Sequence, residues 1–173
     1  MRIAKSELRA TPTPLLLRPL TPADLPAARA LLEAERARHP YAERPLEQLE
    51  SIASGGPDGE YRALVAADES GIAGVLLYGL VAGSVGAGML FGAVVAPESR
   101  GRGIGRALAD AGVAALVSSG ARAVFAELPD DPALGDVRSL LARAGFSEEG
   151  RVSDLLRDGV ALTIWRRAAE PER

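Results

Sequence analysis

Apolar positions recur along the chain with two different periods, and the change between them marks the predicted elements. Segments with an apolar residue at every third or fourth position predict helices at 22–38, 46–53, 104–119 and 137–144. Short continuous or alternating apolar runs predict strands at 15–17, 61–67, 71–81, 89–95, 123–128, 150–156 and 160–166. The order of these elements predicts an α/β (α+β) fold, in which about four helices flank a mixed, mostly antiparallel sheet of six or seven strands.

Capping residues predict where the first helix begins and ends. Thr21 is its predicted N-cap, with Pro22 at the first helical position, where a missing N–H leaves nothing unpaired. Pro26 fits that helix poorly, because a proline inside a helix removes a hydrogen bond and crowds the preceding turn. His39 and Pro40 are predicted to end it.

Composition narrows the chemistry that the chain can carry out. Its 173 residues have the size of one domain, and its net charge of −3 does not resemble that of a basic nucleic-acid-binding protein. It has no cysteine and one histidine, which excludes thiolate and multi-histidine metal sites and a cysteine nucleophile. No uninterrupted apolar stretch reaches the length of a membrane span, so we expect a cytoplasmic protein that does not bind a membrane. From the composition and the net charge, we also expect that it binds neither a metal nor nucleic acid. One domain is expected over 15–167, between a loose arm at 1–14 and a tail at 168–173.

Glycine is the unusual feature of the composition, with 19 residues, of which 11 lie between positions 71 and 112. Gly101, Gly103 and Gly105 alternate where a strand ends and a helix begins. Without Cβ atoms the backbone can approach a ligand closely, and the N–H groups at a helix N-terminus attract anions. Arginines at 100, 102 and 106 add positive charge, so the segment predicts a diphosphate site. An ordinary strand–helix connection with arginines in solvent is the alternative.

Two common nucleotide motifs do not fit this segment. The dinucleotide fingerprint needs a third glycine where this chain has arginine, and the nucleoside-triphosphate loop needs a lysine that the segment lacks. The pattern Arg100-x-x-Gly103-x-Gly105, preceded by Val95-x-Pro97, instead resembles the acetyl-coenzyme A motif of the GNAT superfamily of N-acetyltransferases. The order of the predicted elements is also that of this family.

The resemblance covers residues 15–167 and implies a cofactor cleft between two parallel strands, 89–95 and 123–128, that splay apart. The backbone of residues 101–106 would donate N–H groups to the diphosphate of acetyl-CoA, and the backbone of 93–95 would pair with its pantetheine arm. The residues implied in cofactor binding are Ala93, Val94, Val95, Arg100, Gly101, Arg102, Gly103, Ile104, Gly105 and Arg106.

Acetyl transfer to an amine requires help with proton removal, because an amine with a pKa of roughly 10 is protonated near neutral pH. Glu127, near the end of the strand that forms one wall of the implied cleft, is the candidate catalytic base. A solvent-exposed carboxylate at a strand end is the alternative interpretation of this residue. The Val94 or Val95 N–H is the expected donor to the thioester oxygen.

The sequence offers no clear donor for the proton that the departing thiolate needs. Many members of the family use a tyrosine whose position is occupied here by Leu141. Leu155 and Leu156 stand where related sequences often have aromatic residues. Tyr78 and Ser139 are weaker candidates, and Tyr78 can equally be a packing residue on its strand.

The acceptor side is implied to lie around residues 39–45 and 154–159, where His39 and Tyr41 either touch substrate or only belong to a loop that ends a helix. We expect an amine-bearing small molecule or peptide, attacked directly in a ternary complex, and a homodimer is compatible with the sequence. A coenzyme A-binding module with weakened catalysis is the main alternative, and an interaction domain with the same fold is a third. Glycines near the central strands, at 79, 83, 86, 88 and 92, leave open whether an acceptor, a partner subunit or a helix covers them.

Overall fold

Seven strands form one mixed sheet in the computed structural model of the chain, which describes residues 14–38, 41, 43–53 and 61–169. The strands are β1 (Leu16–Pro19), β2 (Arg62–Asp68), β3 (Gly71–Leu80), β4 (Ala87–Val95), β5 (Ala123–Pro129), β6 (Ser147–Arg157) and β7 (Val160–Ala168). Their order across the sheet is β1-β2-β3-β4-β5-β7-β6, and the neighbours are antiparallel apart from β4 and β5. The predicted mixed, mostly antiparallel sheet is therefore confirmed. The ends of the predicted arm and tail, 1–13 and 170–173, lie outside the described residues.

Helices cover both faces of this sheet. In the described ranges they are α1 (Leu25–Arg38), α2 (Glu43–Ala53), α3 (Ile104–Ser118) and α4 (Gly135–Arg143). On one face, α1 and α2 share a buried cluster with Val65 and Val75 of the central strands. On the other face, α3 and α4 share a second cluster with Leu64 and Leu76. Because neighbouring residues of β2 and β3 are buried on opposite faces, these strands are almost continuously apolar.

The first α-helix begins later than its capping residues predict. Pro22–Asp24 form a 3-10 turn, and the α-helix begins at Leu25. Pro26 therefore lies in the first turn of α1, where backbone N–H groups have no partner within the helix. The expected conflict at Pro26 does not arise. The helix ends at Arg38, and His39 and Pro40, its predicted end, lie outside the described residues.

An ion pair between Arg18 on β1 and Asp24 fixes the turn before α1. The two terminal guanidinium nitrogens of Arg18 lie 2.5 Å from Asp24 Oδ2 and 2.8 Å from Oδ1. The backbone N–H and the hydroxyl of Thr21 also donate to Oδ2, at 2.8 and 2.7 Å. The bonds from Arg18, supported by those from Thr21, outweigh the effect of burial and hold the pKa of Asp24 well below its usual range.

Asp24→Asn is expected to destabilise the protein at neutral pH by about 1–3 kcal/mol, because hydrogen bonds to a charged group are replaced by neutral ones. Since the pKa of Asp24 is lower in the folded than in the unfolded state, its stabilisation is present above about pH 4 and is lost as the pH falls further. Urea unfolding should therefore show a difference between the two proteins at pH 7 that decreases from pH 4 towards pH 2. Asp158→Asn, at an exposed turn residue, is the control. An equal loss of stability in both variants would contradict the role assigned to Asp24.

Helices occupy the space that glycines leave above β4. A Cβ atom added at Gly88 would lie 2.9 Å from Leu116 Cδ1 on α3. A Cβ atom added at Gly92 would lie 2.6 Å from Pro45 Cγ on α2. Neither position has room for a side chain at the density of a protein interior. Close packing of helices on the sheet therefore accounts for Gly88 and Gly92, rather than an acceptor or a partner subunit.

Candidate active site

The parallel strands β4 and β5 separate midway along their length, as expected for a ligand cleft. In the described part of the chain their pairing begins at Ala87 with Ala123 and ends at Leu90 with Ala126. Both strands continue beyond that point, β4 to residue 95 and β5 to residue 129. The second halves of the two strands therefore form the sides of an opening.

Backbone groups of β4 face this opening at every second residue. The Ala96 N–H donates to Ala73 O at 2.9 Å, which continues the ladder between β3 and β4. Because neighbouring residues of an antiparallel strand direct their N–H and C=O groups to opposite sides, Val94 also faces β3, whereas Ala93 and Val95 face the opening. Of the two N–H groups expected to polarise the thioester oxygen, the register favours that of Val95.

The glycine turn connects β4 to α3 in a backbone conformation that favours glycine. Gly101 and Gly103 have φ of +74° and +79°, and Gly103 is the N-cap residue of α3. A Cβ atom added at either position would meet no heavy atom within 4 Å. The turn therefore leaves open space next to the backbone N–H groups that begin α3, which is the arrangement an anion requires.

Gly105 differs from Gly101 and Gly103 in the space beside its backbone. It borders the same cavity, but an added Cβ atom would lie 2.6 Å from Leu140 Cδ1 on α4. The packing of α3 against α4 therefore accounts for the absence of a side chain at Gly105, and its backbone contact with a diphosphate stays a prediction.

A cavity of about 710 Å³ adjoins the glycine turn and the N-terminus of α3. It is lined by nine of the predicted cofactor residues: Ala93, Val94, Val95, Arg100, Gly101, Gly103, Ile104, Gly105 and Arg106. Arg102 is not among its lining residues, because its guanidinium group lies 3.7 Å from Asp68 Oδ2 at the β2–β3 turn. The side chain of Arg102 is therefore directed towards Asp68 rather than towards the predicted diphosphate site.

Arginine side chains supply most of the positive charge around this cavity. Arg100 donates through Nε to Val95 O at 3.1 Å and through a terminal nitrogen to Glu35 Oε2 at 3.1 Å. Arg100 thereby joins the end of β4 to α1 and holds the start of the glycine turn. Arg38 and Arg143, in the last turns of α1 and α4, also line the cavity. Basic residues are common at helix C-termini, so these two carried no distinguishing signal in the sequence.

A second cavity, of about 380 Å³, contains Glu127 and lies among α2, β4, β5 and the β6–β7 hairpin. Its lining residues are Tyr41, Pro45, Gln48, Met89, Leu90, Phe91, Glu127, Pro129, Leu155, Leu156 and Leu162. Strand β4 therefore contributes to both cavities, with residues 89–91 lining this one and residues 93–95 lining the other.

Tyr41 and the β6–β7 hairpin, both within the ranges expected for the acceptor side, lie at this second cavity. The Tyr41 hydroxyl donates to Asp131 Oδ2 at 3.1 Å and accepts from Arg157 Nε at 3.2 Å. A hydrogen bond from the Ala133 N–H, together with those from Tyr41 and Arg157, holds the pKa of Asp131 below its usual range. His39, the other residue expected here, lies outside the described residues.

Sequence patterns missed several residues of this cavity. Leu155 and Leu156 belong to its wall and fall within the range 154–159 that the resemblance implies for the acceptor side. Gln48 and Phe91 were not singled out at all. An apolar strand residue or a polar helix residue has the same local pattern whether it borders a cavity, the core or solvent.

The weaker candidates for proton delivery line neither cavity. Tyr78 is buried in the core beneath α3, and this burial raises the pKa of its hydroxyl. Ser139 is exposed on α4, and Leu141, at the position of the usual tyrosine, is buried. Tyr78 is therefore a packing residue, and neither Ser139 nor Leu141 reaches the two cavities.

The described residues form neither a metal-binding cluster nor a membrane-spanning helix. Within those residues, no three side chains of the histidine, cysteine, aspartate and glutamate types come together as a metal site. None of the helices seen there is long and apolar enough to cross a membrane.

Comparisons with known proteins bear on both the fold and the family. The model of the Acetyltransferase (GNAT) family matches residues 27–146. A protein from Desulfovibrio desulfuricans, described as an acetyltransferase of the GNAT family, has 28% sequence identity and a TM-score of 0.80 over 90% of this chain and 99% of its own. A GCN5-related N-acetyltransferase from Kribbella flavida has 25% identity and a TM-score of 0.73 over 90% of this chain and 98% of its own. The aminoglycoside 6'-N-acetyltransferase from Enterococcus faecium shares the fold, with 14% identity and a TM-score of 0.73 over 91% and 99% of the two chains.

A search of curated proteins gives no significant match to this chain. The family model nevertheless spans more than half of the 173 residues and includes the glycine turn and both strands of the cleft. The chain is therefore an acyltransferase that belongs to the GNAT acetyltransferase family.

Proposed function

We propose that the protein transfers an acetyl group from acetyl-CoA to a primary amine of a small molecule or peptide, by direct attack in a ternary complex. The observation that carries the proposal is that β4 lines two cavities, one at the glycine turn and one at Glu127. An acetyl donor in the first cavity and an amine in the second would meet along the same strand. Such positioning supplies a large part of the rate enhancement in group-transfer reactions. A cytoplasmic location is part of the same proposal.

The cavity of about 710 Å³ fits the chemistry of acetyl-CoA. Its glycine turn and the first turn of α3 present backbone N–H groups that suit a diphosphate. Arg106, Arg38 and Arg143 add positive charge around these groups. The edge of β4 at Ala93 and Val95 offers backbone groups to an extended amide chain, as one strand does to another. When bound, acetyl-CoA supplies an acetyl thioester that a neutral amine can attack.

Glu127 is the proposed general base on the acceptor side. It lies on β5 opposite Ile164 of β7, is exposed, and lines the cavity of about 380 Å³. Glu127 takes one proton from the protonated amine, and the neutral nitrogen then attacks the thioester carbon. As the N–C bond forms and the C–S bond breaks, the nitrogen releases a second proton to solvent and the departing thiolate takes one proton from water. The Val95 N–H, which faces the opening, donates to the acyl oxygen as that oxygen gains negative charge.

A coenzyme A-binding module with weak catalysis is the second candidate. The observation that favours it is the missing general acid. Leu141 is apolar and buried at the position where many members of the family have a tyrosine. Such a module would bind acetyl-CoA through the same glycine turn but would not accelerate its reaction with amines.

Acetyl-CoA at 100 times its Kd is expected to stabilise the protein by about 2.7 kcal/mol, because it binds the folded state alone. Thermal unfolding with and without acetyl-CoA measures this shift. Thiol release from acetyl-CoA across a panel of primary amines, corrected for hydrolysis without amine, then separates the two candidates. Stabilisation with amine-dependent thiol release supports the acetyltransferase, and stabilisation without it supports the module. No stabilisation at all would contradict both.

A further inference from the structure

The cavity beside Glu127 has mainly apolar walls. Eight of its eleven lining residues are leucine, proline, methionine or phenylalanine. Leu155 and Leu156, on the β6–β7 hairpin, leave 56% and 46% of their surface exposed, although large apolar side chains are usually buried. A ligand with an apolar body would remove this surface from water, which is the main driving force for binding of such ligands.

Three polar side chains line the same cavity, and they differ in how they are partnered. The hydroxyl of Tyr41 is already bonded to Asp131 and Arg157. Glu127 is the acidic residue among the described lining residues. Gln48, on α2, is 8% exposed, and its Oε1 has no hydrogen-bond partner among the residues that the structure describes.

The oxygen of Gln48 lies enclosed, without a donor among the described residues, on a side chain that lines the cavity. A buried amide oxygen without a hydrogen-bond partner is unfavourable, and such atoms are rare in native proteins. The terminal amide of glutamine turns easily about its last side-chain bond, so the oxygen can reorient towards a ligand in the cavity that Gln48 lines. A ligand N–H group would supply the missing donor.

We propose that the acceptor is a primary monoamine with an apolar carbon body, and that Gln48 accepts a hydrogen bond from one of the N–H groups that remain on the amine after Glu127 has taken a proton. This inference rests on the proposed function, in which this cavity holds the acceptor. The hydrocarbon packs against the leucine and phenylalanine walls. A second cationic group would lose its water without gaining a carboxylate, because Glu127 is the one acid among the described lining residues.

Hexylamine and 1,6-diaminohexane test the substrate class, because they differ only in a second amino group. The kcat/KM of thiol release is expected to be at least about tenfold higher for hexylamine, owing to the cost of burying the second ammonium group. Equal or faster turnover of the diamine would overturn the proposal.

Gln48→Leu tests the assigned residue because it should stabilise the folded protein and at the same time weaken amine binding. The variant should raise Tm by about 2–4 °C, because an unpaired buried polar group is replaced by an apolar one of similar size. It should also raise KM for hexylamine at least about fivefold and leave the Kd of acetyl-CoA unchanged. Glu47→Leu, at the neighbouring exposed position of α2, is the matched control and should change neither KM nor the Kd. A lower Tm together with an unchanged KM would show a purely structural role and overturn the assignment.

A binding measurement separates failure of this inference from failure of the proposed function. Hexylamine should raise the Tm of the wild-type protein more than 1,6-diaminohexane does, and both shifts should be smaller in Gln48→Leu, because each ligand donates the same N–H to Gln48. If no amine gives thiol release but these shifts are observed, the acetyl-transfer proposal fails while the apolar monoamine site stands. If thiol release occurs with other amines and hexylamine neither binds nor reacts, the inference fails while acetyl transfer stands.

Discussion

Replacing Gly103 by valine is expected to weaken acetyl-CoA binding at least about 100-fold while the protein remains folded. Gly103 has φ of +79°, and a Cβ atom there would project into open space at the cavity of about 710 Å³. Valine would place two methyl groups there and would also strain the N-cap of α3, by about 1–3 kcal/mol. Isothermal titration with acetyl-CoA measures the affinity, and circular dichroism checks the fold.

Gly120→Val provides a matched control for the strain. Gly120 follows the other end of α3, has φ of +92°, and an added Cβ atom would again meet no heavy atom within 4 Å. It does not line the cavity, so the variant should lose stability and keep its affinity for acetyl-CoA. Retained affinity in Gly103→Val, or an equal loss in both variants, would refute the assignment of the glycine turn to the diphosphate.

Glu127→Gln is expected to lower kcat by about 100- to 1,000-fold without changing the Kd of acetyl-CoA. The substitution keeps the shape of the side chain in the cavity of about 380 Å³ but removes its ability to accept a proton. General base catalysis contributes about 10²- to 10⁴-fold to the rate of such reactions. The deficit should decrease as the pH approaches roughly 10, because more of the amine is then neutral without a base. Steady-state thiol release between pH 7 and pH 10 measures both effects.

Glu69→Gln, at the exposed turn between β2 and β3, is the control for Glu127→Gln. It should retain full turnover at every pH. Unchanged turnover in Glu127→Gln would remove this residue from the mechanism. A deficit that stays constant up to pH 10 would instead favour a role in positioning the amine over proton removal.

The order of the elements was predictable because each strand and helix has a strong local pattern. Strands β2 and β3 are buried on both faces, which makes them almost continuously apolar and easy to recognise. The start of α1 was misplaced because Pro22 suits both a 3-10 turn and the first turn of an α-helix. The ion pair of Arg18 with Asp24 fixes that turn. It forms only where β1 and the turn before α1 meet in the folded chain.

The glycine turn was predictable for the same reason, since its residues are close together in the sequence. The remainder of the site depends on contacts between distant segments. The contact of Gly105 with Leu140 is one example, because it depends on where α4 packs. Gln48 occupies a polar position on a helix, and nothing nearby in the sequence shows that its side chain is buried against a cavity.

Because β4 lines both cavities, the binding of the two ligands should be thermodynamically linked. Residues 93–95 and 89–91 belong to one strand, so a ligand that shifts the first group is expected to displace the second. If acetyl-CoA changes the affinity for the amine by some factor, the amine must change the affinity for acetyl-CoA by the same factor. The same reciprocity holds for the affinities of the two products, the acetylated amine and coenzyme A. Through this one strand, the affinity of each cavity for its proposed ligand is expected to depend on whether the other cavity is occupied.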